Sequence, residues 1–351
     1  MNEPCDHCAE SREKGHDYCI YCGRPVDKVT VTDVFTVTSG VTVTGGGMAE
    51  LRAAIIRVVG VILVFLCAAI LFFEIFTVFW GVGAIWPNLS LYKFGILVLI
   101  PGPAVLFYID GALAILYYLF IVASVIASFV FLMYKSRGGL DRLVKGRTEG
   151  MTEMPLYGVV TLFAATISFN FICILIVALF NYTPVTPAPM DLWMLLYSLM
   201  NAAVWEEVLC RVALIGLPVV VAGLAMRKEG AWKGLFGGVE LNRFTIVLIL
   251  ISSMIFSYGH FAGWDLFKML PTFVTGLALG YLFVRFGVYA SIMLHFLVNY
   301  LSSISWVFDS MGADVMLVFI TLSIVVLGAP FIVWYAVRGY RRLKEEFSSR
   351  T

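Results

Sequence analysis

The chain has 351 residues, of which 61% are hydrophobic and only 13% are charged, and its mean hydropathy is +0.93. This composition excludes an ordinary soluble domain and predicts an all-α protein that crosses the membrane several times. The formal net charge is +1, so nothing indicates a nucleic-acid partner. The opening residues are polar and the first long apolar run starts near Ala53, so no cleavable signal peptide of the usual layout is expected.

Four cysteines near the start of the chain fall into two C-x-x-C pairs, Cys5 with Cys8 and Cys19 with Cys22. Four thiolates at this spacing suit a tetrahedral zinc ion, and the second pair is similar to a knuckle of a short zinc ribbon. We therefore predict a small zinc ribbon over residues 1–25, with the metal supplying most of its stability. Two disulfides are the alternative, which the predicted cytoplasmic placement disfavours.

The remaining domain boundaries follow from composition. Residues 26–50 alternate Val and Thr and then contain three consecutive glycines, which predicts an extended linker ending in a flexible joint. Residues 51–340 form the predicted transmembrane domain, and residues 341–351 a basic cytoplasmic tail. The ribbon is expected to bind a substrate or a protein partner rather than to take part in catalysis.

A helix needs ~20 apolar residues to cross the hydrocarbon core. Eight runs meet this requirement and predict about eight transmembrane helices, at 53–80, 111–134, 155–181, 191–226, 243–260, 265–286, 287–307 and 314–337. The run 92–109 is also apolar, but Pro101-Gly102-Pro103 interrupts it. It is either a ninth span or a broken, re-entrant or interfacial segment.

The distribution of basic residues decides between these alternatives. Lys and Arg concentrate in the loop 135–150, in the loop after Met226 and in the C-terminal tail, whereas 181–190 and 302–313 contain none. All the basic segments fall on one side only if 92–109 does not cross. We therefore predict eight spans in the plasma membrane, with both termini in the cytoplasm and with membrane lipids around the helices.

Six polar residues interrupt the apolar runs, and ionisable groups inside a membrane are costly unless they pair or have a function. Glu207 and Arg211 are four residues apart, share a helix face and are expected to neutralise each other. Glu206 points about 100° away and remains available. The others are His260, His295 and Asn299, and the last two again lie four apart. Their convergence predicts a buried catalytic centre.

These motifs, in this order and inside apolar segments, resemble the CPBP family of intramembrane proteases, which includes the type II CAAX prenyl endopeptidases. The resemblance rests on Glu206-Glu207-x-x-x-Arg211, on Phe256-x-x-x-His260 and on His295-x-x-x-Asn299. It covers residues 155–307 strongly and does not extend to the cysteine pairs.

The resemblance implies a role for each residue. Glu206 matches the general base that activates water, and His260 matches the histidine that positions this water. His295 and Asn299 match the pair that stabilises the oxyanion, while Glu207 and Arg211 are read as structural. One Glu and two His could alternatively bind a catalytic zinc ion; we favour the metal-free glutamate mechanism.

Two further classes of function compete with the protease. A non-catalytic scaffold or protection protein could share the fold, and a proton-coupled transporter would also use buried Glu and His. The chain has no internal repeat and no matched broken helices, which disfavours the transporter. The expected substrate is a membrane-anchored peptide or protein, and its prenylation is left open.

Overall fold

The computed structural model describes residues 47–99, 103–183, 185 and 190–348. The predicted zinc ribbon, with Cys5, Cys8, Cys19 and Cys22, lies outside the described residues, as does most of the linker. By its internal contacts the chain divides into two units, Met1–Glu50 and Leu51–Thr351. The second unit contains all the candidate catalytic residues.

The described chain consists mostly of helices, because long apolar stretches satisfy their backbone hydrogen bonds internally only as helices or closed sheets. The ten α-helices of the described residues are α1 (Gly47–Leu89), α2 (Gly111–Val144), α3 (Pro155–Leu179), α4 (Leu192–Glu207), α5 (Leu217–Ala225), α6 (Arg243–Trp264), α7 (Met269–Phe286), α8 (Val288–Tyr300), α9 (Ser303–Phe308) and α10 (Met311–Ser348). A π-helical segment, Val208–Gly216, follows directly after α4.

Seven of these helical stretches are long and apolar enough to cross a membrane. They correspond to seven of the eight predicted spans, so the polytopic all-α class is confirmed. The eighth predicted span, 287–307, is divided: α8 has 13 residues and is only ~20 Å long, short of the ~30 Å hydrocarbon core. It ends where Ser302 and Ser303 follow, and serine hydroxyls compete for the backbone of a helix.

The short helix α8 lies at the centre of the bundle. It contacts α2, α3, α4 and α7, and every residue from Ala290 to Leu297 is buried. A helix enclosed by protein need not match the thickness of the membrane, because neighbouring helices rather than lipid cover its ends. The two residues that it contributes to the candidate site, His295 and Asn299, are therefore held from all sides.

The interrupted segment 92–109 is a β-hairpin. Strand β1 (Phe94–Leu99) pairs antiparallel with β2 (Pro103–Ile109), with a bulge between Ile96 and Leu97. Proline and glycine disfavour a continuous helix here, and the β-branched and aromatic residues on either side suit strands. The hairpin agrees with the prediction that this segment is not a membrane-spanning helix, although its strand structure was not foreseen.

The longest helix–helix contact joins α3 and α10. At Gly328 an added Cβ would lie 2.2 Å from the carbonyl oxygen of Ala164, so only glycine allows this close approach. Ser168 donates a hydrogen bond to the carbonyl of Val325 at 2.8 Å, and the hydroxyls of Thr161 and Tyr335 are also 2.8 Å apart. We call this contact the α3–α10 seam.

A buried acid on α1 gives the first testable prediction. Both carboxyl oxygens of Glu74 are fully buried without a hydrogen-bond partner in the described part of the chain. Replacing an unsatisfied buried polar group by an apolar one of similar shape is usually stabilising. Glu74→Met is expected to raise stability by about 1–3 kcal/mol, measured as the midpoint of thermal unfolding in detergent.

The matched control is Glu50→Met, at an exposed position on the same helix. It should shift the unfolding midpoint little, because its carboxylate is already hydrated. A Glu74→Met protein less stable than the wild type would show that this acid has a stabilising partner.

Candidate active site

The end of α4 carries the two neighbouring carboxylates. Glu206 and Glu207 are the last two residues of the α-helix, and the chain then continues as the π-helical segment Val208–Gly216, which holds Arg211. Segments of π-helix inside longer helices are rare and frequently mark functional sites. The two acids lie in different environments, since the Glu206 side chain is 28% exposed and that of Glu207 is fully buried. Glu206 alone can reach water or a substrate.

Glu206 faces two imidazole rings from two other helices. Its Oε2 atom lies 3.9 Å from Nε2 of His260 on α6 and 3.7 Å from Nε2 of His295 on α8. These distances are too long for direct hydrogen bonds but are the separations that one bridging water would span. The structure thus brings together three side chains that are up to 89 residues apart in the chain.

The other nitrogen of each ring has a partner that can only accept. Nδ1 of His260 lies 2.8 Å from the carbonyl oxygen of Phe256, and Nδ1 of His295 lies 2.9 Å from Oε1 of Glu207. Each Nδ1 therefore carries the proton. In a neutral ring the Nε2 atom then presents its lone pair to Glu206. Two acceptors therefore face each other, and a molecule with two donor hydrogens, such as water, can bridge them.

Glu207 and Arg211 form a buried ion pair beneath the two rings. Nε of Arg211 lies 3.4 Å from Oε2 of Glu207, and both side chains are fully buried. The contact lacks hydrogen-bond geometry, and Nη1 of Arg211 has no hydrogen-bond partner among the described residues. Nη2 donates to the carbonyl of Gly276 at 3.4 Å. The pair fixes the carboxylate that in turn orients His295.

Phe256 packs at the centre of these polar groups. Its ring centroid is 4.7 Å from that of His260 and 5.7 Å from that of His295. The guanidinium of Arg211 lies 4.7 Å from the same centroid, which is a cation–π distance. A single aromatic residue thus contacts both histidines and Arg211, and it restricts the orientation of both imidazole rings.

Asn299 is engaged with a neighbouring helix. Its Nδ2 atom donates to the carbonyl of Leu199 on α4 at 3.1 Å. An amide nitrogen carries two hydrogens, so one donor remains after this bond. The oxyanion role predicted for Asn299 therefore stays a prediction, and the observed bond shows that the residue also ties α8 to α4.

The sequence left open whether the site binds a catalytic metal ion. Glu206, His260 and His295 are the residue types that bind zinc. In the described ranges, however, no group of three His, Cys, Asp or Glu side chains is arranged to hold a metal ion. As placed, these donors do not form a metal centre.

Beyond α6, an acidic residue holds the chain in an unusual conformation. Asp265 has φ 73° and ψ −176°, a region that is essentially restricted to glycine. Its carboxylate accepts hydrogen bonds from the amide of Val185 at 2.9 Å and from the hydroxyl of Tyr182 and the amide of Phe267 at 2.8 Å. These bonds, that of Val185 foremost, lower the pKa of Asp265 below its ordinary value of 3.8.

A lowered carboxyl pKa predicts a pH-dependent contribution to stability. The contribution is complete above pH 3.8 and disappears as the pH falls through the lower folded-state pKa. Asp265→Asn should therefore unfold at a lower temperature than the wild type at about pH 6, and the difference should shrink by about pH 3. Thermal unfolding over this pH range tests it; a difference independent of pH would contradict the ionic origin.

Trp205 was not identified from the sequence. Its Nε1 atom donates to the carbonyl of Leu97 in β1 at 2.8 Å, directly beside Glu206. A tryptophan in an apolar run gives no signal of its own, and its partner lies 108 residues away. The contact became visible only once the hairpin was placed.

The protein is a polytopic membrane protein with a polar site inside its helical bundle. Apolar helices enclose this site, which consists of one Glu and two His side chains. Residues 188–301 match the family described as Rce1-like, the type II CAAX prenyl endopeptidase Rce1-like family. The matched segment, about a third of the chain, includes Glu206, His260, His295 and Asn299. This part of the chain is therefore similar to the type II CAAX prenyl endopeptidases that the family describes. Comparison with curated proteins gave no match, and neither did comparison with solved structures.

Proposed function

We propose that the protein is an endopeptidase that hydrolyses a peptide bond of a membrane-anchored substrate, with Glu206 as the general base. The observation that supports this most is the position of Glu206 Oε2, 3.7 and 3.9 Å from the Nε2 atoms of two histidines. A water in this gap can donate one hydrogen to Glu206 and the other to His260. One of the lone pairs on its oxygen is then directed at a carbonyl carbon.

Glu206 accepts and returns the proton in the two chemical steps of the proposed hydrolysis. Water attacks the carbonyl carbon while its proton passes to Glu206, and the carbonyl oxygen becomes an oxyanion. When the C–N bond breaks, Glu206 returns the proton to the leaving amine. The immediate products are a carboxylic acid and an amine, which become a carboxylate and an ammonium when the acid's proton passes to the amine, and Glu206 is regenerated as a carboxylate.

His295 and Asn299 are the proposed donors to the oxyanion. Because Nδ1 of His295 already donates to Glu207, this role requires a second proton on Nε2. Donors held in place before the charge develops are each worth a few kcal/mol. Glu207 and Arg211 act as positioning residues, since they touch the ring and not the reacting atoms.

The placement in the cell belongs to the same proposal. Both termini are cytoplasmic, because the basic loops and the basic tail fall on one side of the membrane. The membrane is the plasma membrane. Residues 1–25 bind one structural zinc ion through Cys5, Cys8, Cys19 and Cys22 and recruit a protein partner or substrate.

The test is single-turnover cleavage by purified wild-type protein in liposomes. Peptides with the same sequence would be anchored by a prenyl group or by an apolar helix, with and without a chelator. Cleavage of either peptide supports the endopeptidase, and activity that survives the chelator supports the metal-free mechanism. Loss of activity in chelator that zinc restores would overturn that mechanism. Intact peptides throughout would favour a non-catalytic scaffold.

A further inference from the structure

We propose that β1 is the docking strand of the substrate, which binds along its free edge as an extended chain. This inference rests on the proposed endopeptidase function and assigns a role to the hairpin, which lies outside the matched segment 188–301. The occupant is an uncharged, aliphatic stretch of the membrane-anchored substrate that contains the scissile bond.

The first argument is that the hairpin is incomplete as a sheet. In the described part of the chain β1 pairs only with β2 and β2 only with β1. An isolated pair of strands is marginally stable, and each strand leaves a row of N–H and C=O groups without a strand partner. In an apolar environment such groups need partners, which an added strand provides.

The second argument is the direction in which the β1 edge points. Leu97 offers its carbonyl to Nε1 of Trp205 at 2.8 Å, and Trp205 directly precedes Glu206. Strand carbonyls lie in the plane of the sheet, and the N–H and C=O of one residue point to the same side. The N–H of Leu97 therefore also points toward the end of α4 that carries the general base.

Packing holds β1 in this position. The Phe94 ring is 4.5 Å from that of Tyr197 on α4, and Phe94 and Ile96 are buried. β1 also contacts α6, the helix that carries His260. By contrast, four consecutive residues of β2 are exposed, from Val105 to Tyr108. β1 is thus the strand on the side of the site, and β2 is the outer strand.

The chemistry of the strands selects the occupant. Neither β1, with the sequence FGILVL, nor β2, with PAVLFYI, contains a charged residue. A partner strand with charged side chains would lose hydration without a counter-charge, whereas aliphatic residues would not. Pairing through the main chain gives affinity and holds the scissile carbonyl in one register, while alternate side chains give specificity.

The first test maps the binding position on full-length Glu206→Gln protein in liposomes. The probe is an anchored aliphatic peptide with a photoreactive diazirine beside the scissile bond, and adducts are located by mass spectrometry. Adducts on residues 94–99 and on Trp205 are expected. Adducts confined to residues 103–109, or none on β1, would overturn the docking strand.

This mapping separates the inference from the function. If the wild-type protein cleaves the peptide but the Glu206→Gln variant is labelled away from β1, the proposed function stands and the docking role of β1 is wrong. If β1 is labelled but the wild-type protein does not cleave the peptide, β1 binds the peptide and the proposed endopeptidase function is wrong.

The second test measures whether the substrate pairs with β1 through its main-chain N–H groups. N-methylation of the peptide at successive residues should lower kcat/KM by about tenfold at every second position and little at those between, since only alternate N–H groups face β1. Leu97→Pro should cause a similar loss because it removes the outward N–H, whereas Leu106→Pro, at an exposed position of the outer strand β2 outside the pairing register, should retain activity. Equal effects at all positions would contradict pairing.

Discussion

Glu206→Gln is expected to reduce the single-turnover cleavage rate by about 10²–10⁴-fold while leaving the protein folded. The amide has nearly the same shape as the carboxylate but cannot accept a proton from water. Glu206 Oε2 has no hydrogen-bond partner in the described part of the chain, so the substitution breaks no observed hydrogen bond. Its effect should therefore appear in the rate and not in stability.

Cleavage of the anchored peptide would be measured alongside thermal unfolding of the same preparations. Glu229→Gln is the matched control, because this carboxylate is exposed and belongs to a loop remote in sequence from the motifs. It should retain wild-type activity. A Glu206→Gln protein that cleaves at the wild-type rate would remove Glu206 from the mechanism.

Arg211→Met is expected to destabilise the protein by about 3–5 kcal/mol. The substitution leaves the fully buried carboxylate of Glu207 with His295 but without its cation 3.4 Å away. The stacking of the guanidinium on Phe256 is also lost. Chemical or thermal unfolding in detergent measures the effect.

A second substitution separates charge from packing. Glu207→Gln together with Arg211→Met removes both charges, so much of the lost stability should return. Activity should stay low, since His295 loses the carboxylate that orients it. The control Arg285→Met breaks the partly exposed pair with Glu153 and should cost no more than about 1 kcal/mol. Equal destabilisation at both sites would show that burial of the Glu207 pair is unimportant.

The sequence was sufficient for seven of the eight predicted spans and for the identity of the polar residues in them. Runs of ~20 apolar residues leave few alternatives to a spanning helix. Glu207 and Arg211 share a face by spacing alone, and their observed contact follows from it. The convergence of Glu206, His260 and His295 was expected from the cost of ionisable groups in apolar runs and from the resemblance, because local patterns do not specify which faces of distant helices meet.

Other features depended on long-range packing. The run 92–109 is apolar at almost every position, so its hydrophobic pattern fits a buried helix as well as a buried strand and could not reveal the hairpin. The bond from Asn299 to Leu199 and that from His295 to Glu207 depend on the rotation of α8 within the bundle. The strained backbone of Asp265 is held by residues 80 and 83 positions earlier, which no local motif records.

The α3–α10 seam has a consequence for how the chain is made. Helix α3 enters the membrane early, yet its partner α10 is synthesised only after all the intervening helices. Until then the carbonyl of Ala164 and the hydroxyl of Ser168 have each other as hydrogen-bond partners but lack the cover that Gly328 and Val325 provide. During biosynthesis this face must be shielded by lipid, by the insertion machinery or by a temporary helix partner. Arrival of α10 is thus the step that closes the bundle.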